Sequence, residues 1–188
     1  IKFDNLTTYE KFIIIKLDDL VTEYKKHCTS YRFDLMANSL YSFIWNEYCD
    51  WFVEISKVEI ENGNKYTKNV LIYTLQIILK LCHPIIPYIT EEIWNEMNSL
   101  GYTKDQILMN AKFPSQQKIF KDDSIDMEVS LLKEFINKIR KTRSDLNVHP
   151  KIEIDIYCFS QDDLVKKFLD SNNSIICSLL KVKNIFIN

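Results

Sequence analysis

The sequence predicts a mainly α-helical bundle with a small α+β unit at its C-terminal end. Three observations carry this reading. Through most of the first 147 residues, apolar side chains recur at steps of three and four, the period of a helix that buries one face. The strongest such run, residues 31–57, holds two tryptophans, three tyrosines and three phenylalanines, more aromatic area than a solvated surface tolerates, and so predicts the central helix of a bundle. After Pro150 the period changes to two: Ile152, Ile154, Ile156 and Cys158 alternate with Glu153, Asp155 and Tyr157, as in a half-buried strand. The expected division is a bundle over residues 1–148 and an appended unit over residues 149–188.

Taken in order, the first helix is expected to start after Thr7. Thr7 and Glu10 have the spacing of a capping box, and Ile13, Leu17, Leu20 and Tyr24 then form a buried stripe. The polar run at residues 26–30 separates it from the central helix, whose predicted stripe is Phe33, Ala37, Leu40, Ile44, Tyr48, Trp51 and Ile55. A polar loop with an Asn-Gly pair follows at residues 61–69. Leu71, Leu75, Ile78 and Cys82 mark a third helix, which stops at His83 because Pro84 disfavours helical geometry in the residue before it.

Pro84 and Pro87 make a rigid link, after which Thr90 is expected to cap a new helix with Glu91 and Glu92 at its positive end. Gly101 ends that helix, and residues 106–117 read as an extended crossover. A further helix is expected over residues 124–147, with Val129, Leu132, Ile136 and Ile139 inward. The tail then reads as strand, helix at residues 161–169, helix at residues 174–181, and strand at residues 184–187.

With 188 residues, 46% of them hydrophobic, the chain can bury one sizeable core. No apolar run reaches the roughly 18 residues that span a bilayer, and the first ten residues lack the layout of a secretory signal. Five scattered cysteines, with no Cys-x-x-Cys, suggest neither a disulfide framework nor a zinc site, so a soluble protein of the reducing cytoplasm is expected. A net charge of −2 argues against bulk attraction to nucleic acid but leaves room for a local basic face. The initial Ile and only two glycines suggest a segment of a longer protein.

Catalytic signatures are missing: there is no Gly-rich phosphate loop, no Gly-x-Ser-x-Gly and no His-Glu-x-x-His. No catalytic residue and no metal ligand is nominated. His27, His83 and His149 fall at helix ends or turns, where capping or exposure accounts for them. Cys49, Asp50 and Trp51 lie mid-helix with no histidine near in sequence, which favours packing over nucleophilic chemistry. Glu91 and Glu92 are explained by the helix dipole rather than by an acid and base pair.

The arginines are Arg32, Arg140 and Arg143. Tyr31, Arg32 and Phe33 combine two rings with a guanidinium, a set suited to stacking unpaired bases and gripping a backbone, although Phe33 fits a core position equally well. Lys133, Asn137, Arg140 and Ser144 share one helical face beside Lys138, Lys141 and Arg143; such a surface is either solvated or a phosphate contact.

Residues 33–57 and 71–94 closely resemble the anticodon-binding domain of the class I aminoacyl-tRNA synthetases. The pattern His-Pro-x-x-Pro-x-x-Thr-Glu-Glu-x-Trp (residues 83–94) is shared by several branches of the class, while Cys49-Asp50-Trp51 in its aromatic setting points to the valine branch. The resemblance implies a helical bundle that binds the anticodon stem and loop of tRNA(Val). Activation of valine with ATP and magnesium, and editing, would belong to domains absent from this chain, since neither His-x-Gly-His nor Lys-Met-Ser-Lys-Ser occurs here. It also implies Lys16, Tyr31, Arg32 and Phe33 near the anticodon, Arg140 and Arg143 at the tRNA backbone, a monomer, and no cofactor in this segment. The rival reading is a protein-interaction bundle, marked by an exposed apolar patch rather than a basic face.

Overall fold

The computed structural model describes residues 5–117 and 122–187. Helix α1 (Thr8–Thr29) is followed by a continuous rod made of α2 (Phe33–Ser42), a π-helical segment (Phe43–Phe52) and α3 (Val53–Glu61). Then come α4 (Thr67–Cys82), α5 (Pro87–Ser99), a 3-10 turn (Leu108–Asn110) and α6 (Asp123–Asp145). Strand β1 (Ile154–Cys158), helix α7 (Asp163–Leu180) and strand β2 (Val182–Ile187) form the C-terminal unit, with the two strands paired in parallel. The mainly α architecture with a small α+β unit is as the sequence predicts.

The hub of the bundle is α1, not the aromatic rod. Its Ile13, Ile14, Leu17, Leu20, Val21 and Tyr24 face α2, the π segment and α4, while Tyr9, Phe12 and Ile15 face α3, α6 and the β-α-β unit. A helix that is apolar on nearly all sides is buried on nearly all sides, and the unbroken run Phe12-Ile13-Ile14-Ile15 is the signal for it. The predicted capping box at its start is present: Thr7 Oγ1 accepts from Glu10 N at 3.4 Å, and Glu10 Oε2 accepts from Thr7 N at 2.9 Å. Glu10 is only 1% exposed, and its other oxygen accepts from Thr67 Oγ1 at 2.6 Å and Asn64 Nδ2 at 3.3 Å. One carboxylate thus caps α1 and ties it to the start of α4, with its lone pairs satisfied as burial requires.

The rod buries Met36, Leu40, Phe43, Tyr48, Phe52, Ile55 and Val58. Their spacing runs four, three, five, four, three, three. The step of five lies inside the π segment, whose bonds span five residues, as Val53 N to Tyr48 O shows. The wider turn takes up one extra residue and returns the stripe to the same face. The predicted stripe therefore needs correction: Phe33 and Ala37 are exposed, and Ile44 and Trp51 only half-buried.

Two further expectations change. Helix α5 begins at Pro87, with Ile86 as its N-cap, because the fixed φ and missing N–H of proline suit the first helical position. Thr90 is one turn inside, donating to Ile86 O at 2.9 Å, and Glu91 and Glu92 follow it. The tail holds one helix rather than two. The polar run around Asn172 does not break α7, since Asn172 is buried, donates to Phe168 O at 2.8 Å and accepts from the Tyr9 hydroxyl. Leu169, Ile175, Ile176, Leu180, Ile156 and Val182 share their core with α1, α3 and α6.

Candidate nucleic-acid interface

The turn between α1 and α2 is tight. Ser30 caps α1, Tyr31 takes the left-handed conformation (φ 54°), and Arg32 N donates to His27 O at 2.9 Å. This reversal leaves Tyr31 81% exposed, with the Phe33 ring edge-on to it at 6.3 Å. Lys25 and Lys26, exposed on the last turn of α1, and half-buried His27 stand beside it, where cations also complement the helix dipole. Arg32 is paired with Asp34 through two bonds, Nε to Oδ1 at 2.9 Å and Nη2 to Oδ2 at 2.7 Å. That guanidinium holds the Asp34 carboxyl down to about 2.

The outward face of the rod continues this aromatic surface. Phe33, Ala37, Tyr41 and Trp45 follow at four-residue steps, so they share one side of the helix. Tyr41 and Trp45 are both mostly exposed, and their rings lie parallel within 5° at 6.3 Å. Two exposed, parallel rings farther along the helix extend this surface and offer flat faces on which unpaired bases can stack. The predicted stripe of Phe33, Ala37, Leu40, Ile44, Tyr48, Trp51 and Ile55 contains neither ring; the four-residue spacing of Tyr41 and Trp45, on the side away from Leu40 and Phe43, is the signal in the sequence for this outward face.

A second polar surface lies farther along the rod, where side chains of α6 reach it. Lys133 Nζ pairs with Glu47 at 2.6 Å and sits 5.0 Å from the Phe12 ring centre and 5.5 Å from that of Trp51. The Arg140 guanidinium lies over the other end of this cluster, 5.5 Å from Trp51. Asn46, Cys49, Asp50, Glu54 and Asn137 line the groove between Trp51 and Arg140. Burial and the neighbouring Asp50 push the Cys49 thiol up, opposite to what a nucleophile needs.

The nominated residues do not form one cluster. Tyr31, Arg32 and Phe33 stand together at the turn. Lys16 sits about 20 Å away along α1, where it pairs with Asp126 of α6 at 3.0 Å. Arg140 is exposed on α6, near Trp51. Arg143 is only 7% exposed; it donates to Leu180 O and Ile152 O, and so clamps α6 to the C-terminal unit, with its side chain facing inward. Among the described residues no group of three or more His, Cys, Asp or Glu is placed to hold a metal ion, and no helix is long and apolar enough to cross a membrane.

The family model for the anticodon-binding domain of tRNA ligase matches residues 10–158. The chain is 36% identical over 188 residues to a valine-tRNA ligase of Buchnera aphidicola subsp. Schizaphis graminum, covering 98% of this chain and 20% of that protein. To the valine-tRNA ligase of Legionella pneumophila (strain Lens) it is 32% identical over 182 residues, 94% of this chain and 20% of that protein. A valine-tRNA ligase of Xanthomonas campestris pv. campestris (strain B100) is 36% identical over 160 residues, 80% of this chain and 17% of that protein. The chain spans about a fifth of the length of these curated relatives.

Proposed function

Since the chain belongs to the family of anticodon-binding domains of tRNA ligases, we propose that it recognises the anticodon stem and loop of tRNA(Val) as part of a valine-tRNA ligase. It positions the tRNA for aminoacylation carried out, with ATP and magnesium, by a catalytic domain outside this chain; an editing domain of the same polypeptide is the other expected neighbour. The ligase acts in the cytoplasm as a monomer. The bundle over residues 1–148 carries recognition, and the unit over residues 149–188 braces it.

The observation that carries this reading is the exposed aromatic face beside a basic helix end. Unpaired anticodon bases offer flat faces for Tyr31, Phe33, Tyr41 and Trp45 to stack on, while Lys25 and Lys26 meet the backbone. Arg32 joins them when a phosphate displaces Asp34 from its guanidinium, an exchange of one charge-assisted pair for another. Lys16 and Arg140 contribute from more distant points on the same RNA. Arg143 contributes by holding α6 to the C-terminal unit rather than by touching phosphate.

The test is binding of the chain to a valine-type anticodon stem-loop and to one with altered anticodon bases. The expected result is preference for the valine anticodon and an affinity that falls at least roughly tenfold between about 50 and about 200 mM salt. Equal binding of both RNAs moves base recognition outside this chain, and no binding at low salt overturns the reading.

A further inference from the structure

The link between α4 and α5 exposes a second apolar surface that RNA recognition does not use. Ile85, Ile86, Tyr88 and Ile89 are all more than two-fifths exposed, with Tyr88 at 91%. The 3-10 turn lies against them: Leu108 is buried beneath, while Ile107 and Met109, the latter 76% exposed, complete the same face. This surface is fixed in place. Glu91 Oε1 accepts from Leu108 N at 3.0 Å, Trp94 Nε1 donates to Asp105 O at 2.9 Å, and Pro84 and Pro87 stiffen the link. An apolar face held this rigidly is built to be covered.

The surroundings decide by what. Glu91 and Glu92 line the groove, and among the described residues no lysine or arginine does, so a phosphate backbone is repelled. A second copy of the chain fits poorly, because a two-fold contact through this face would set its carboxylates against each other. His83 Nδ1 is hydrogen-bonded with the Thr90 hydroxyl at 2.9 Å, and its buried Nε2 lies 4.0 Å from Glu91 Oε2. Two carboxylates beside an apolar face, Glu91 and Glu92, call for a cationic side chain on the partner.

We propose that the face formed by Ile86, Tyr88, Ile89, Ile107 and Met109 docks onto the remainder of the ligase polypeptide, against an apolar protein surface whose lysine or arginine answers Glu91 and Glu92. The inference rests on the reading above, in which the relatives hold some four-fifths of their length outside the matched stretch.

Two methionines make the test internal to one molecule. Met109 and Met127 are 76% and 74% exposed, and Met127 lies on α6, away from the link. Hydroxyl-radical footprinting is run on the isolated chain and on the complete polypeptide that carries it, with the oxidation rate of Met109 divided by that of Met127 and, as a second reference, by that of exposed Phe159. In the isolated chain the methionine ratio is near one. In the complete polypeptide it falls about fivefold, as a desolvated interface centre requires, and Tyr88→Asp with Ile89→Asp restores it. An unchanged ratio overturns the proposal. So does a ratio that falls in the isolated chain as its concentration rises, which assigns the face to a second copy, or on adding the anticodon stem-loop, which assigns it to RNA. Loss of RNA binding with Met109 still protected sinks the functional reading alone.

Discussion

Two exposed apolar faces of this chain have similar rings and opposite surroundings. At the α1–α2 turn, Tyr31 and Phe33 stand beside Lys25, Lys26 and the Arg32–Asp34 pair, and Tyr41 and Trp45 continue the aromatic face along the rod. At the α4–α5 link, Ile86, Tyr88, Ile89 and Met109 stand beside Glu91 and Glu92. Exposed hydrophobic area says only that something binds; the sign of the flanking charge says what, since phosphates are drawn to the first face and repelled by the second.

The contrast breaks most completely from underneath. Trp94→Ala empties the core below the link face, where the indole is 2% exposed and packs with Leu79, Met97 and Leu108. The expected loss is about 3–5 kcal/mol in chemical denaturation, with the variant that remains folded still binding the stem-loop. A selective break comes next. Trp45→Ala removes half of the stacked pair and lowers stem-loop affinity by about 1–3 kcal/mol, whereas Tyr88→Ala, equally aromatic and more exposed, leaves titrations within about twofold.

Charge sharpens the comparison further. Lys25→Glu with Lys26→Glu reduces the slope of log affinity against log salt by about one for each lysine lost, read from titrations at several salt concentrations. The smallest effect concerns Arg32. Asp34→Asn frees the guanidinium for phosphate and raises affinity about threefold, within the range of an exposed ion pair. The pH dependence of that pair has a definite sign: the folded carboxyl, near 2, lies below the roughly 3.9 of an unfolded chain, so its contribution is present above about 3.9 and disappears as pH falls through 2. Side-chain carboxyl NMR across that window checks it; an ordinary Asp titration means that Arg32 is not engaged.

Much of the bundle is legible in residue spacing. The capping box at Thr7 and Glu10, the stop at His83 and Gly101 after α5 are local signals, each set by a few adjacent residues, and each stands where the spacing predicts; the strand after the period change starts at Ile154, two residues late, with Ile152 exposed. The features that were not legible depend on residues far apart in the chain. Asn172 reads as a helix breaker until the Tyr9 hydroxyl meets it from α1. Arg143 reads as a phosphate grip until Leu180 and Ile152 turn their carbonyls toward it.

The aromatic rod shows where the boundary lies. Its sequence alone determined that it is helical and rich in rings, because periodicity and composition are properties of the segment itself. Which rings are core was decided by packing: Phe43, Tyr48 and Phe52 join the core shared with α1 and α4, the π segment taking up the extra residue between Phe43 and Tyr48, while Tyr41 and Trp45 lie outside. No local propensity requires that division. It follows from where α1 and α4 present their apolar faces, so only the folded bundle could assign those rings to a partner.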